Sequence, residues 1–307
     1  MTQDPSPLFA RLFGRPGILL GVVHLLPLPG APRAPGAARE AMRQASERAL
    51  ADARALEAGG LDGAIVENFG DAPFFGESVP AMTVAAMAAI LEELRRAVRF
   101  PLGVNVLRND ARAALALAAA CGLDFLRVNV HSGVMLTDQG ILEGLAAQTL
   151  RERNALGAEV AIFADVLVKH ATPLGGARET DLPQLAEDTY RRGLADALLV
   201  TGSGTGKATP LGEVAAVRKA VPEAPVLVAS GVNDQTVRAT LDVAQGAIVG
   251  TFLKRDGRVD QPVDPARVRR LVAAARPGEP ARSGEAEAGD GSAEARSRSV
   301  RARAKTE

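Results

Sequence analysis

Two short apolar runs, Val226-Leu227-Val228-Ala229 and Gly246-Ala247-Ile248-Val249, each end in a glycine turn, with only residues 234–241 between them for a helix. Both runs read as buried strands. Strands linked by so short a crossover are parallel neighbours, so the turns Ser230-Gly231-Val232-Asn233 and Gly250-Thr251 open at the same end of one sheet. Glycine lets backbone N–H groups converge without a Cβ in the way, and a helix N-terminus just beyond adds partial positive charge. Such a pair on the last two strands of a (β/α)8 barrel is a recurrent phosphate site. The competing reading is two tight turns that hold nothing.

The same alternation runs back through the chain. Strands are expected at 17–23, 63–66, 102–106, 125–130, 160–166, 197–200, 226–229 and 246–249, with helical stretches between them that include 142–156 and 182–192. Eight strand–helix units within 17–276 predict a single (β/α)8 TIM barrel of the α/β class. Residues 1–16 form an N-terminal segment whose short helix starts at Ser6-Pro7 and plugs the barrel bottom. A doubly wound sheet is the alternative, but it concentrates chemistry at one switch point, whereas here polar residues follow nearly every strand. In the tail, 277–307, Val300 is the only large aliphatic residue, so the segment is expected to be disordered.

Composition narrows the function classes. Lys plus Arg equals Asp plus Glu at 36 each, so no global field favours nucleic acid or an anionic membrane. No apolar stretch reaches the roughly 18 residues of a membrane span, and no signal peptide is evident. The single cysteine, Cys121, reads as core and fits a reducing cytoplasm. Expected partners are a phosphorylated small molecule and further copies of the chain, with no nucleic acid; any membrane contact would be peripheral. The loop Thr201-Gly202-Ser203-Gly204-Thr205-Gly206-Lys207-Ala208 fails both the P-loop and the dinucleotide pattern and is read as a flap. No cofactor is therefore assigned.

All three histidines, His24, His131 and His170, fall where a strand ends. Glu67, Asn68, Asn105, Arg127, Asn129, Asp165 and Lys169 join them, which supplies the acids, bases and cation that proton transfer at a sugar carbon needs. Glu67, His131, Asp165 and Lys169 are the catalytic candidates. His24, Asn68, Asn105, Arg127, Asn129 and His170 are the substrate-binding candidates, and Gly202, Ser230, Gly231, Gly250 and Thr251 the phosphate-binding ones. Asp165 and His131 are expected side by side at the mouth, a carboxylate–imidazole pair suited to shuttling a proton. Arg127 and Asn129 share strand parity, so both point inward. The bland alternative is a salt-bridge layer at the mouth. A divalent cation ringed by His24, Glu67, His131 and Asp165 has no short ligand spacing behind it, so no metal site is assigned. Lys169 reads as an anion binder or acid–base group before a Schiff-base lysine.

Several motifs in order resemble one family. They are Val22-Val23-His24-Leu25 with Pro27-Leu28-Pro29-Gly30, Glu67-Asn68-Phe69-Gly70-Asp71, Gly103-Val104-Asn105-Val106-Leu107-Arg108-Asn109-Asp110 and Arg127-Val128-Asn129-Val130-His131. Ala164-Asp165-Val166-Leu167-Val168-Lys169-His170-Ala171, Val200-Thr201-Gly202 and Val249-Gly250-Thr251 extend the match, which is similar to the BtpA/SgcQ family over residues 8–275. The resemblance implies a barrel like those that bind ribulose phosphates. It carries two functional associations: assembly or stability of photosystem I, with members called membrane complex biogenesis proteins, and company with sugar-utilisation genes. The expected function is an enzyme doing isomerase, aldolase or lyase chemistry on a phosphorylated sugar or related metabolite; the alternative is a non-catalytic factor for a membrane complex.

Overall fold

The computed structural model describes residues 7–174, 182–202, 204 and 207–278. Eight parallel strands close into a barrel: β1 (Ile18–His24), β2 (Gly63–Glu67), β3 (Leu102–Asn105), β4 (Phe125–Val128), β7 (Ala161–Leu167), β9 (Ala197–Val200), β10 (Val226–Val228) and β11 (Gly246–Val249). Neighbours follow chain order around the ring, and β1 pairs with both β2 and β11 to close it. The helices α2 (Ala38–Ala58), α3 (Ala81–Ala97), α4 (Ala111–Ala120), α5 (Ala146–Ala155), α6 (Leu182–Glu187), α7 (Leu211–Ala220), α8 (Val237–Val243) and α9 (Pro265–Ala275) follow their strands. The barrel expected from the alternation is therefore the observed one.

Parity along each strand decides what it buries. Leu19 and Val23 of β1, with Ala64 and Val66 of β2, pack outward into the large core shared with the helices. Ile18, Leu20, Val22, Ile65, Phe125, Phe163, Leu199, Leu227 and Ile248 point inward and form a separate core. Gly103 makes room for it, because a Cβ there would lie 2.3 Å from the Phe125 ring. Helix α1 (Pro7–Phe13) closes the lower end: Phe9 lies 5.6 Å from Phe163, and Phe13 6.2 Å from Phe125, between ring centroids.

The lower face is tied by a repeated device. Asp62, Asp124 and Asp196 each accept the backbone N–H of an adjacent strand, from Leu19 (2.8 Å), Leu102 (2.9 Å) and Ile162 (2.8 Å) respectively. Arg276, Arg95 and Arg153 balance the three carboxylates. The chain after β11 is pinned from inside, where the fully buried Lys254 meets Asp52 of α2 at 2.8 Å and Asp52 also accepts Val263 N–H at 2.7 Å.

Two expectations need correction. The stretch 142–156 is not one helix: Gly140–Glu143 is a strand, β6, paired antiparallel with β5 (Val134–Thr137), which pairs on its other side with β8 (Ala171–Pro173). This small sheet stands beside the barrel mouth, and its Asp138-Gln139 tip touches the β2–α3 loop, where a Cβ on Gly76 would lie 2.9 Å from Gln139 O. The strand expected over 125–130 pairs only as far as Val128. Beyond it, the Asn109 side chain holds Val130 at both backbone groups, accepting its N–H (2.8 Å) and donating to its carbonyl (3.0 Å). The expected disordered tail lies outside the described residues from 279 onward, as do Ser203, Thr205 and Gly206 of the expected flap and residues 1–6.

Candidate active site

Continuing each strand's inward parity past the apolar layer brings polar residues to the barrel mouth. On β1 the next inward residue is His24, on β2 Glu67, on β3 Asn105, on β4 Arg127 and then Asn129, and on β7 Asp165. Such groups cannot sit in a barrel interior unpaired. Arg127 is the hub: its guanidinium makes a forked pair with Asp165 (3.1 Å to each oxygen) and reaches Glu67 Oε1 at 3.3 Å. Asn105 donates to the same Glu67 oxygen (3.1 Å), and Asn129 donates to Asp165 Oδ2 (2.7 Å). Burial opposes the charge on Arg127, but Asp165 and Glu67 outweigh it and hold the cation above its usual range.

Two connected cavities, of about 240 and 300 Å3, open above this layer and share His24, Glu67, Arg127 and Lys169. The first runs to Ser230, Gly231, Gly250, Thr251 and Arg267. The second is lined by Phe69, Phe74, Asn105, Arg108, Asn129 and His170, and by the β5–β6 tip. Lys169 stands at the junction with no carboxylate in ion-pair distance among the described residues. Burial, then the Arg127 charge, pushes its ammonium below the usual lysine range. His24 is held neutral by burial and by the Lys254, Lys169 and Arg127 cations. Its Nε2 is 4.0 Å from Glu67 Oε2, and its buried Nδ1 has no hydrogen-bond partner among the described residues.

Of the two turns at the far end of the first cavity, the one at Gly231 has room only for glycine. Gly231 has φ +70°, and a Cβ there would lie 2.4 Å from Ala208 Cα. Thr251 and Phe252 open the 3-10 turn Thr251–Leu253, whose first internal bond is Leu253 N–H to Gly250 O at 3.0 Å, so their own N–H groups precede it. Arg267 of α9 donates to Phe252 O at 2.5 Å and lies over the Phe252 ring, 4.5 Å from its centroid.

Of the residues expected from the sequence, the mouth gathers His24, Glu67, Asn105, Arg127, Asn129, Lys169, His170, Ser230, Gly231, Gly250 and Thr251. Four others line neither cavity. His131 is buried outside the mouth, its Nε2 bonded to Gly193 O at 2.8 Å, because the chain leaves barrel pairing where β4 ends, at Val128. The expected Asp165–His131 pair is therefore absent. Asp165 is occupied by Arg127 and Asn129, and the four-residue cation ring weighed from the sequence does not form. Asn68 spends its amide on Leu107 N–H (2.7 Å) and Asp71 (3.2 Å). Gly202 packs on the Lys207–Ala208 backbone, where a Cβ would meet Lys207 O at 2.4 Å. Arg108 and Arg267 were not singled out as candidates. Arg108 had a signal, lying two residues past the strand expected at 102–106 in Arg108-Asn109-Asp110; Arg267 had none, since nothing local separates it from Arg269 and Arg270.

Fold and site together define a (β/α)8 barrel whose ionisable residues and cavities lie at the C-terminal ends of its strands, the face where barrels of this class place their chemistry. Solved structures of the same fold include phosphoribosylanthranilate isomerase from Pyrococcus furiosus (TM-score 0.52, 14% identity, covering 84% of this chain and 98% of that one). A native KDPGal structure superposes comparably (TM-score 0.51, 14% identity, 83% and 93%). The chain belongs to the BtpA family, whose model matches residues 16–277. It is 45% identical over 260 residues to the photosystem I biogenesis protein BtpA of Synechocystis sp., covering 85% of this chain and 88% of that one. It is also 44% identical to an uncharacterized protein of Thermococcus kodakarensis (84% and 95% covered) and 32% identical to a mitochondrial protein of Caenorhabditis elegans (83% and 91%).

Proposed function

We propose that this barrel is an enzyme that binds a phosphorylated sugar or related metabolite at its mouth and transfers a proton on it, in chemistry of the isomerase, aldolase or lyase kind. One observation carries the reading. A lysine with no carboxylate partner among the described residues and a carboxylate, Lys169 and Glu67, share a cavity that ends on two glycine turns. The N–H groups of Ser230, Gly231, Gly250 and Thr251, with Arg267 behind them, suit a phosphate. The lowered proton affinity of Lys169 brings its amine nearer the range useful for acid–base work. Glu67 Oε1 is taken by Arg127 and Asn105, so its Oε2, facing His24, is the oxygen open to a substrate proton. Asp165 and Asn129 position Arg127 without touching the reacting carbon, and His131 has no part in it. Thermal-shift measurements with inorganic phosphate and a panel of phosphorylated sugars test the reading. A rise in melting temperature with phosphate and a larger one with a sugar phosphate is expected; no rise with any of them overturns it.

The name of the Synechocystis relative favours a second reading, a factor for the biogenesis or stability of a membrane complex. Among the described residues no helix is long and apolar enough to cross a membrane, so association in that case is peripheral and made through protein contacts. Cell fractionation separates the two readings: recovery of the chain with a membrane complex supports this one, and its absence from every membrane fraction removes it.

A further inference from the structure

The reading above uses one cavity and leaves the other without a ligand group. Arg108 decides what the second accepts. It is 6% exposed, lies three residues past the end of β3 and lines the cavity with Phe69, Phe74 and Leu107. The other buried arginines among the described residues each have a carboxylate: Arg127 has Asp165 and Glu67, and Arg276 has Asp62. Arg108 has none within ion-pair distance among the described residues. Its protein acceptors are one backbone carbonyl, Lys169 O at 2.7 Å, and a long contact to Asn129 Oδ1 at 3.4 Å. Five N–H donors thus meet two acceptors, and Nε has no partner among the described residues. A buried guanidinium is costly unless an anion completes it, and here burial already drives its proton affinity down.

The surroundings favour an anion. Arg33, Arg108, Arg127 and Lys169 line this cavity against two carboxylates, Glu67 and Asp138. Glu67 is engaged by Arg127, and Asp138 accepts from the Gln139 amide at 2.6 Å on the exposed hairpin tip. The apolar wall of Phe69, Phe74 and Leu107 lowers the local dielectric, which strengthens a charge-assisted hydrogen bond. We propose that Arg108 binds a second oxyanion of the same ligand, so that the substrate class is a small molecule anionic at both ends, with phosphate at the glycine turns and a carboxylate or second phosphate at Arg108. The reacting carbon then lies between the two anions, at Lys169 and Glu67, where the cavities meet. Two fixed ends orient that carbon, and this use of binding energy holds it near the reactive geometry.

This inference rests on the phosphate reading, and the experiment separates the two. The probes are inorganic phosphate, simple alkylphosphonates of two to five carbons, the same chains ending in a carboxylate, and the same chains ending in a second phosphonate. Each is titrated against the full-length protein by thermal shift. At least one chain length with a terminal anion is expected to half-saturate at a concentration about tenfold lower than its one-anion counterpart, as one charge-assisted hydrogen-bonding group supplies. The carboxylate and phosphonate arms tell which anion fits. In Arg108→Gln the two-anion compounds are expected to fall to the level of the one-anion compounds, and Arg108→Lys to keep part of the gain. If phosphate and the alkylphosphonates stabilise the protein but no terminal anion binds tighter, the inference is overturned while the phosphate reading stands. A gain that Arg108→Gln leaves intact overturns the assignment to Arg108. If no probe stabilises the protein, the phosphate reading itself falls. Should Arg108→Gln fail to fold, the wild-type series decides alone.

Discussion

Replacing Arg127 by methionine keeps an unbranched apolar stem and removes the cation from between Asp165 and Glu67, whose side chains are 0% and 8% exposed. Three oxygens lose a donor, while Asn129 still serves Asp165 and Asn105 still serves Glu67. Taking one partner from a buried pair costs about 3–5 kcal/mol. The surviving amide donors put Arg127→Met near the lower end, about 3–4 kcal/mol. For a domain of this size that lowers Tm by roughly 6–16 °C. Asp165→Asn in the same background neutralises the carboxylate that held the forked pair, and is expected to recover at least about 1.5 kcal/mol, a coupling typical of groups in direct contact. With no Trp and one Tyr in the chain, urea unfolding is best followed by far-ultraviolet circular dichroism. If Arg127→Met stays within about 1 kcal/mol of wild type, or Asp165→Asn adds to the damage without rescue, then Asp165 is not held by Arg127 in solution and returns as a candidate base.

Gly231→Ala forces a Cβ to 2.4 Å from backbone at Ala208, so it should abolish any phosphate-induced rise in Tm; Gly212→Ala, where a new Cβ meets nothing within 4 Å, is the matched control and should keep the wild-type response. Phe13→Ala should cost about 3 kcal/mol in urea unfolding, the low end for such a truncation because Phe13 sits at the barrel end where water can enter. His24 and His131 are held neutral by burial, below their usual 6.5, so under pH 6.5 the unfolded chain binds protons that the folded one refuses. Stability is therefore expected to fall as pH drops from 6.5 toward their folded values, by up to about 1.4 kcal/mol per pH unit for each histidine. His131→Asn should remove its share of that slope, as read from unfolding curves at several pH values. A slope unchanged by the substitution refutes the neutral assignment.

Much of this molecule is legible along the chain because the period of a strand is local. Apolar runs that end in glycine turns or polar residues identified all eight barrel strands, and parity alone directed Arg127 and Asn129 inward. The β5–β6 hairpin escaped because its strands are four residues each and Leu142 fits the register of the helix that follows. His131 shows the limit of parity. It shares the phase of Arg127 and Asn129, yet β4 stops pairing at Val128 and the histidine turns to Gly193. The sequence by itself determined the barrel strands in their order and the inward parity of residues within them, such as Glu67, Asn105 and Arg127, since both follow from spacing within single elements. The tertiary structure alone decided that Asp165 belongs to Arg127, that Lys169 and Arg108 have no carboxylate partner among the described residues, and that Arg267 of α9 lines the same cavity as His24 of the first strand. Charge pairing falls off with distance in space, and those distances are set only when the barrel closes.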